Sequence, residues 1–287
     1  MNRLIIKFVC FSLIGGIFFN ADNLKALVPY YYLPQSKNLK KESLSIGNSA
    51  YQLLYFGQIK DSLNLAKLAV SINRNNEKLW SILAEAQMAN NLDNEALISL
   101  NNAQKLNPKI SDLYFAKSSI FLKQSKIRKA KIELQNGLEI APNNHRAIFQ
   151  LGNIFLMEKN FQKAIKEFEK AVLIKPDFWQ AINNKGLAYF EIEKINLSIV
   201  NFKKAIAIKE NGESLLALAS SLKLQNYKES ILLAKKALIK DPNYVEFNYR
   251  KEQLWGEKLQ KSTEDLFKSP QLENEVILAK LKINETS

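Results

Sequence analysis

A period of 34 residues runs through this chain and constrains its fold more than any other feature. Gly152 recurs as Gly186 one period on, and as Ser118, Ala84 and Ala50 going back. Ala164 corresponds to Ser198, Ala130, Ala96 and Ser62, and Ala171 to Ala205, Gly137, Ala103 and Ala69. Pro176 corresponds to Pro142 and Pro108. Large residues keep the same step: Phe168 pairs with Phe202, Leu134 and Leu100, and Phe155 with Tyr189 and Phe121. Such a chain builds one supersecondary unit many times over.

Within a unit the apolar residues fall three or four apart, which predicts two amphipathic helices. Ile148, Leu151, Gly152 and Phe155 share one face of the first helix, and Ala164, Phe168 and Ala171 one face of the second. Helices approach closely only where side chains are small, so Gly152 and Ala164 are placed where the pair crosses, with Phe155 and Phe168 beside them. Pro176 cannot continue a helix and resets the chain. An isolated unit leaves one face exposed, so the units must stack. Six units are read at 43–76, 77–110, 111–144, 145–178, 179–212 and 213–244. Arg74 and Glu210 stand where proline is expected. The sixth unit keeps Tyr227, Ser230, Ala234, Ala237 and Pro242 in register, but its first helix, around 213–222, is about two residues short, so a count of five stays open beside six.

These residues and their spacing resemble the tetratricopeptide repeat (TPR) family over residues 43–244. The resemblance implies an all-α fold, a right-handed superhelical solenoid of helix-turn-helix units with a C-terminal capping helix at about 244–261, and a buried Trp255 within that cap. Breaks are expected near Gly256 and Pro270, and residues 245–287 form the cap and tail. It also implies a concave groove lined by the first helices, at unit positions 2, 5, 6, 9 and 12. The central lining is then Asp112, Phe115 and Ser119, followed by Arg146, Phe149, Gln150 and Asn153, and by Gln180, Asn183 and Asn184. The two phenylalanines would stand side by side as anchors, and the asparagines would bind an extended backbone. Chaperone-binding members of the family hold a C-terminal carboxylate with three cations and two asparagines. The matching positions here are Phe149, Asn153, Asn184, Ser214 and Leu218, which keep both asparagines and lack every cation.

The net charge of +13 admits a helical-repeat RNA-binding protein as an alternative. That reading wants a basic stripe along the groove, whereas the lining mixes Asp112 with amides and aromatics; lysines spread over every repeat read as a solvated surface, and nucleic acid is disfavoured. At the N-terminus, Arg3 and Lys7 precede an apolar run from Phe8 to Phe19. The run is short for a spanning helix, which needs about 20 residues, and suits a signal-peptide core. A cut after Ala26 would place Leu24 where a small residue is preferred, so residues 1–26 read as a signal peptide or a retained anchor, with a buried soluble helix as the third reading. Cys10, the single cysteine, follows Val9 rather than the small residue a lipoprotein needs, and no disulfide can form within the chain. Residues 27–42, with Tyr30, Tyr31 and Tyr32 between two prolines, read as a linker. The LVPYYYLP stretch and the LWGEKLQ tail resemble cyanobacterial and plastid-type members of the family.

His145 is the single histidine and stands at a helix start without a second histidine or a cysteine to complete a metal site. No Ser-His-Asp set, nucleophile elbow or phosphate-binding loop can be read. The chain is therefore expected to be non-enzymatic, with no cofactor and no metal: a scaffold that binds a partner peptide or helix in the groove. The leader implies association with a membrane, or export to a periplasm or thylakoid lumen if it is cleaved. The family resemblance suggests assembly of a membrane complex such as a photosynthetic one, with a soluble cytosolic adaptor as the other alternative.

Overall fold

The structure is a computed structural model and describes residues 36–286. Six helix pairs follow one another: α1 (Ser36–Tyr55) and α2 (Ile59–Ile72), α3 (Glu77–Ala89) and α4 (Asp93–Leu106), α5 (Ser111–Lys123) and α6 (Ile127–Ile140). Then come α7 (His145–Met157) and α8 (Phe161–Ile174), α9 (Trp179–Glu191) and α10 (Ile195–Ile208), α11 (Gly212–Leu222) and α12 (Tyr227–Lys240). A 3-10 turn at Pro242–Val245 leads to α13 (Phe247–Glu252) and α14 (Glu257–Phe267), and a second at Pro270–Leu272 to α15 (Glu273–Thr286). Every regular element among the described residues is helical. Each helix packs on its pair partner, and each second helix packs on the first helix of the next pair, which is the stacking of a solenoid. α1 begins at Ser36, so residues 36–42 of the expected linker are helical. The 1–26 leader and the three tyrosines of the 27–42 stretch lie outside the described residues.

Size complementarity holds each pair together. Ala164, Ala130, Ala96 and Ser198 are wholly buried, as are Ala171, Ala205 and Ala103. Gly152 has a more specific role than a close helix crossing. The buried ring of Phe168 from α8 lies on it, and a Cβ at Gly152 would come within 2.5 Å of that ring. Phe202 lies on Gly186 in the same way, at 2.6 Å. Where the large residue is Leu134 or Leu100, the small one is Ser118 or Ala84, and all four are buried. Interiors pack at crystal density, so volume added on one helix must be removed from its partner.

The period also appears in the backbone. Gly57, Asn91, Ser125, Lys159 and Glu193 are 34 residues apart, and all have positive φ, between 55° and 76°. Each ends the first helix of its pair, and the next amide reaches back to a carbonyl five residues earlier, as from Asn160 to Phe155 at 2.8 Å and from Lys194 to Tyr189 at 2.9 Å. The sixth pair breaks the rule. α11 has 11 residues where α9 has 13, and the positive-φ turn is missing. α11 also starts one residue early in the period, so Glu213 rather than Ser214 takes the second helical position.

After α12 the expected cap at 244–261 is divided at the break expected near Gly256. Leu254 takes positive φ and Trp255 N donates to Arg250 O at 3.1 Å, so the turn found within each of the first five pairs recurs between α13 and α14. Stacking beyond the sixth pair falls to α15, which packs on α12. α14 instead lies on α9 and α11, the first helices of the fifth and sixth pairs, and so occupies that end of the groove. Glu191 draws it there: its carboxylate accepts from Lys258 N at 3.3 Å and Leu259 N at 3.0 Å, satisfying amides that the start of a helix leaves open. Arg250 is buried and donates to Tyr244 O, Val245 O and Gln260 Oε1, and it also pairs with Glu264. Trp255 is buried, and its Nε1 donates to Glu213 at 3.4 Å. Burial pushes the Glu213 carboxyl up to about 7, against hydrogen bonds from Trp255, Asn183 and Tyr244 that favour the ion.

Two outcomes are expected. Gly152→Leu should lose about 1–3 kcal/mol or more of stability, whereas Gly152→Ala with Phe168→Leu, which copies the Ala84–Leu100 pair, should regain most of it. Thermal unfolding of both variants checks this, and an unchanged midpoint for Gly152→Leu would refute the contact. For Glu213, an acid whose folded-state value is raised binds its proton more readily folded than unfolded. Its contribution therefore falls as pH rises from the ordinary carboxylate value to about 7 and stays low above it. Glu213→Gln should gain on the wild type by about 1–2 kcal/mol between pH 5 and pH 8 in urea unfolding. An equal difference at both pH values would show that the group does not titrate in this way.

Candidate protein-binding groove

The first helices of the pairs form the concave wall, and the residues expected to line its centre divide into three groups. Asp112 and Arg146 are exposed. Phe115, Ser119, Phe149, Gln150, Asn153 and Gln180 are half-buried. Asn183 is fully buried and Asn184 is 8 % exposed.

The two phenylalanines do not form the expected pair of anchors, because each ring is committed to its own repeat. Phe115 packs on Gly137 of α6, where a Cβ would overlap it. Phe149 packs against Phe168 and Phe178, with ring centroids at 5.8 and 5.0 Å. Ser119 Oγ donates back to Phe115 O at 3.1 Å. The asparagines are brought together, but largely for one another. Asn184 Nδ2 donates to Asn153 Oδ1 at 2.9 Å, Asn183 Nδ2 donates to Asn184 Oδ1 at 3.2 Å, and Ser214 Oγ donates to Asn183 Oδ1 at 2.8 Å. This ladder ties the fourth, fifth and sixth pairs. Buried amides must be paired, so Asn183 is taken out of reach of an incoming chain, and Asn153 is the rung that stays on the surface. The shifted register of α11 also corrects the carboxylate-clamp comparison: Glu213 and Ala217, not Ser214 and Leu218, occupy the positions where cations would stand. A carboxyl group there departs further from a clamp than Ser214 would.

The open part of the groove lies at the other end. α1, α3 and α5 enclose a cavity of about 550 Å³ whose apolar floor includes Tyr51, Ile82 and Met88, with Glu77, Glu85 and Asp112 around it. Burial and the charge of Asp112 hold the Glu85 carboxyl above its ordinary value. Tyr51 and Glu85 occupy the unit position that placed Asn153 in the groove, Ile82 that of Gln150, and Met88 the twelfth position of the same wall. The signal was therefore present in the period, one and two repeats before the stretch singled out. A second cavity, of about 660 Å³, separates the α7–α8 turn at Met157 and Phe161 from Phe247, Leu254 and Trp255 of the C-terminal segment. His145 packs edge-on against Phe178, with ring centroids at 5.3 Å, and burial followed by Lys175 and Arg146 lowers its pKa.

Known proteins agree with this architecture. The Tetratricopeptide repeat family matches residues 145–178 and again residues 180–211. No curated protein matches the chain. Among solved structures, MamA is 24 % identical over 61 % of this chain and 93 % of its own, with a TM-score of 0.54. YrrB, described as a TPR protein with an unusual peptide-binding site, is 19 % identical over 63 % of this chain and 96 % of its own, with a TM-score of 0.53. PilF of Pseudomonas aeruginosa is 14 % identical, covers 77 % of this chain and 99 % of its own, and gives a TM-score of 0.62. At these identities the likeness is one of fold. The chain carries tetratricopeptide repeats, matched in sequence at 145–178 and 180–211 and continued as a solenoid of helix pairs on either side.

Proposed function

We propose that this protein is a non-enzymatic scaffold that holds a segment of a protein partner in the concave groove, at the end formed by α1, α3 and α5. One observation carries the reading. The groove is filled by the chain's own α14 at α9 and α11, whereas the same wall at α1, α3 and α5 offers an apolar floor and a cavity of about 550 Å³. Groove-facing side chains there, such as Tyr51 at 52 % exposure, are not used by the fold as Phe149 is. Tetratricopeptide arrays present this wall because stacking leaves the first helices on the inner face.

Delivery to a membrane, or across it, is proposed for residues 1–26, whose basic start and apolar run have the composition of a targeting segment. Among the described residues no helix is long and apolar enough to cross a membrane, so such an association would rest on that segment. In that setting the scaffold would serve the assembly of a membrane complex, a photosynthetic one if the source is cyanobacterial or plastid.

A photoreactive side chain at Ile82 should crosslink the partner in cells, and one at Leu173, 83 % exposed on α8, should not. Ile82→Lys with the reactive group at Tyr51 should abolish the adduct while circular dichroism stays unchanged. Crosslinking from Leu173 that survives Ile82→Lys would move the site to the convex face. For the leader, the full chain should sediment with membranes or leave the cytosol, and a chain lacking residues 1–26 should stay soluble. A full chain found wholly in the cytosol would favour a soluble adaptor.

A further inference from the structure

The filled end of the groove shows what kind of segment this wall accepts. α14 is an amphipathic helix. It buries Leu259 and Leu266 against the wall, gives its first amides to Glu191, and sets Lys258 Nζ on Glu193 at 2.8 Å. The carboxylates therefore come from α9 and its turn, and the cation and leucines from the segment that docks.

At the other end carboxylates again stand beside an apolar surface, and among the described residues no helix of the chain covers it. Glu77 and Glu85 on α3 and Asp112 on α5 surround Tyr51, Ile82 and Met88. Among the described residues none of these three carboxylates has a Lys, Arg or His partner within ion-pair distance. Asp112 acts on Glu85 as a like charge across two adjacent helices, and partial burial removes the water that would screen them. Lys78 is the single cation of the cavity lining against three acids, in a chain whose net charge is +13. Uncompensated charge on a partly dry surface is relieved by an ammonium or guanidinium group brought by a ligand.

We propose that the groove across α1, α3 and α5 receives a cationic amphipathic helix of a protein partner, with Lys or Arg directed to Glu77, Glu85 and Asp112 and Leu-type side chains on Tyr51, Ile82 and Met88. This rests on the groove reading above and adds the chemistry of the occupant. Acidic segments are repelled from this site even though the protein as a whole is basic.

The test uses the full-length chain in a neutral detergent and two labelled helical peptides of about 18 residues, or five turns. Both carry the same leucine face; one has Lys on its polar face and the other has Glu. Fluorescence anisotropy should show the Lys peptide binding at least about tenfold more tightly than the Glu peptide. Glu85→Gln with Asp112→Asn should remove about tenfold or more of that affinity, while Glu95→Gln with Glu139→Gln, two exposed acids on α4 and α6, should leave it unchanged. The first pair of changes relieves repulsion, so its melting temperature should hold or rise, which separates lost binding from lost folding. Equal affinity for both peptides, abolished by Ile82→Lys, would overturn the charge assignment and leave the groove reading standing. Binding of the Lys peptide no tighter than about 1 mM, or binding indifferent to Ile82→Lys and to the Glu85/Asp112 pair alike, would overturn both.

Discussion

The ring of Phe168 on the bare Cα of Gly152 is the contact on which the rest of this solenoid depends. It sets the distance between two helices of a pair, and that distance is passed on because the second helix of one pair is also a neighbour of the next first helix. The contact is conserved in volume rather than in residue type. Glycine faces phenylalanine in two pairs, and serine or alanine faces leucine in two others. A stack of near-identical units tolerates such exchange because each interface is local and feels its nearest neighbours. What cannot change is the sum.

With the spacing held constant, the inner wall becomes a track of side chains in fixed register, and the protein uses that track in three ways. At the centre, Asn153, Asn184, Asn183 and Ser214 join across three pairs, so amides of the inner wall tie neighbouring pairs together. At the C-terminal end, Glu191 takes the open amides of α14 and holds the chain's own helix in the groove. At the N-terminal end the wall is apolar and acidic, and no described helix covers it. The two-residue contraction in the sixth pair belongs to the second of these uses, because it brings Glu213 to the wall under Trp255.

Charge is divided accordingly. Surface lysines pair with acids across neighbouring repeats, as Lys131 does with Glu158 and Lys123 with Asp93, and such exposed pairs contribute little individually. The excess of positive charge lies over the array as a whole, while the open groove carries the opposite sign. A basic protein can thus present an acidic binding surface, which composition by itself would not suggest.

The 34-residue period was enough to determine the helix pairs, their order and their buried small positions, because packing within and between units repeats whenever the residues repeat. The breaks at Gly256 and Pro270 were legible for the same local reason. Other features depended on which surfaces finally met. The leucines of α14 required burial, but a helix with one apolar face is satisfied equally by the open end of a stack and by its groove, and the choice rested on Glu191, 67 residues before Lys258 in the chain. The recurrent positive-φ turn carries glycine at position 57 alone, with Asn91, Ser125, Lys159 and Glu193 at the others, so no residue type announced it. Asn183 reads in sequence as a surface amide, and only its neighbours Ser214 and Asn184, supplied by the adjacent pair and the adjacent position, made it a buried one. The sequence determined the repeating unit because that unit is held by contacts near in the chain; the tertiary structure decided which face remained for a partner, because that depended on where the last, non-repeating segment came to rest.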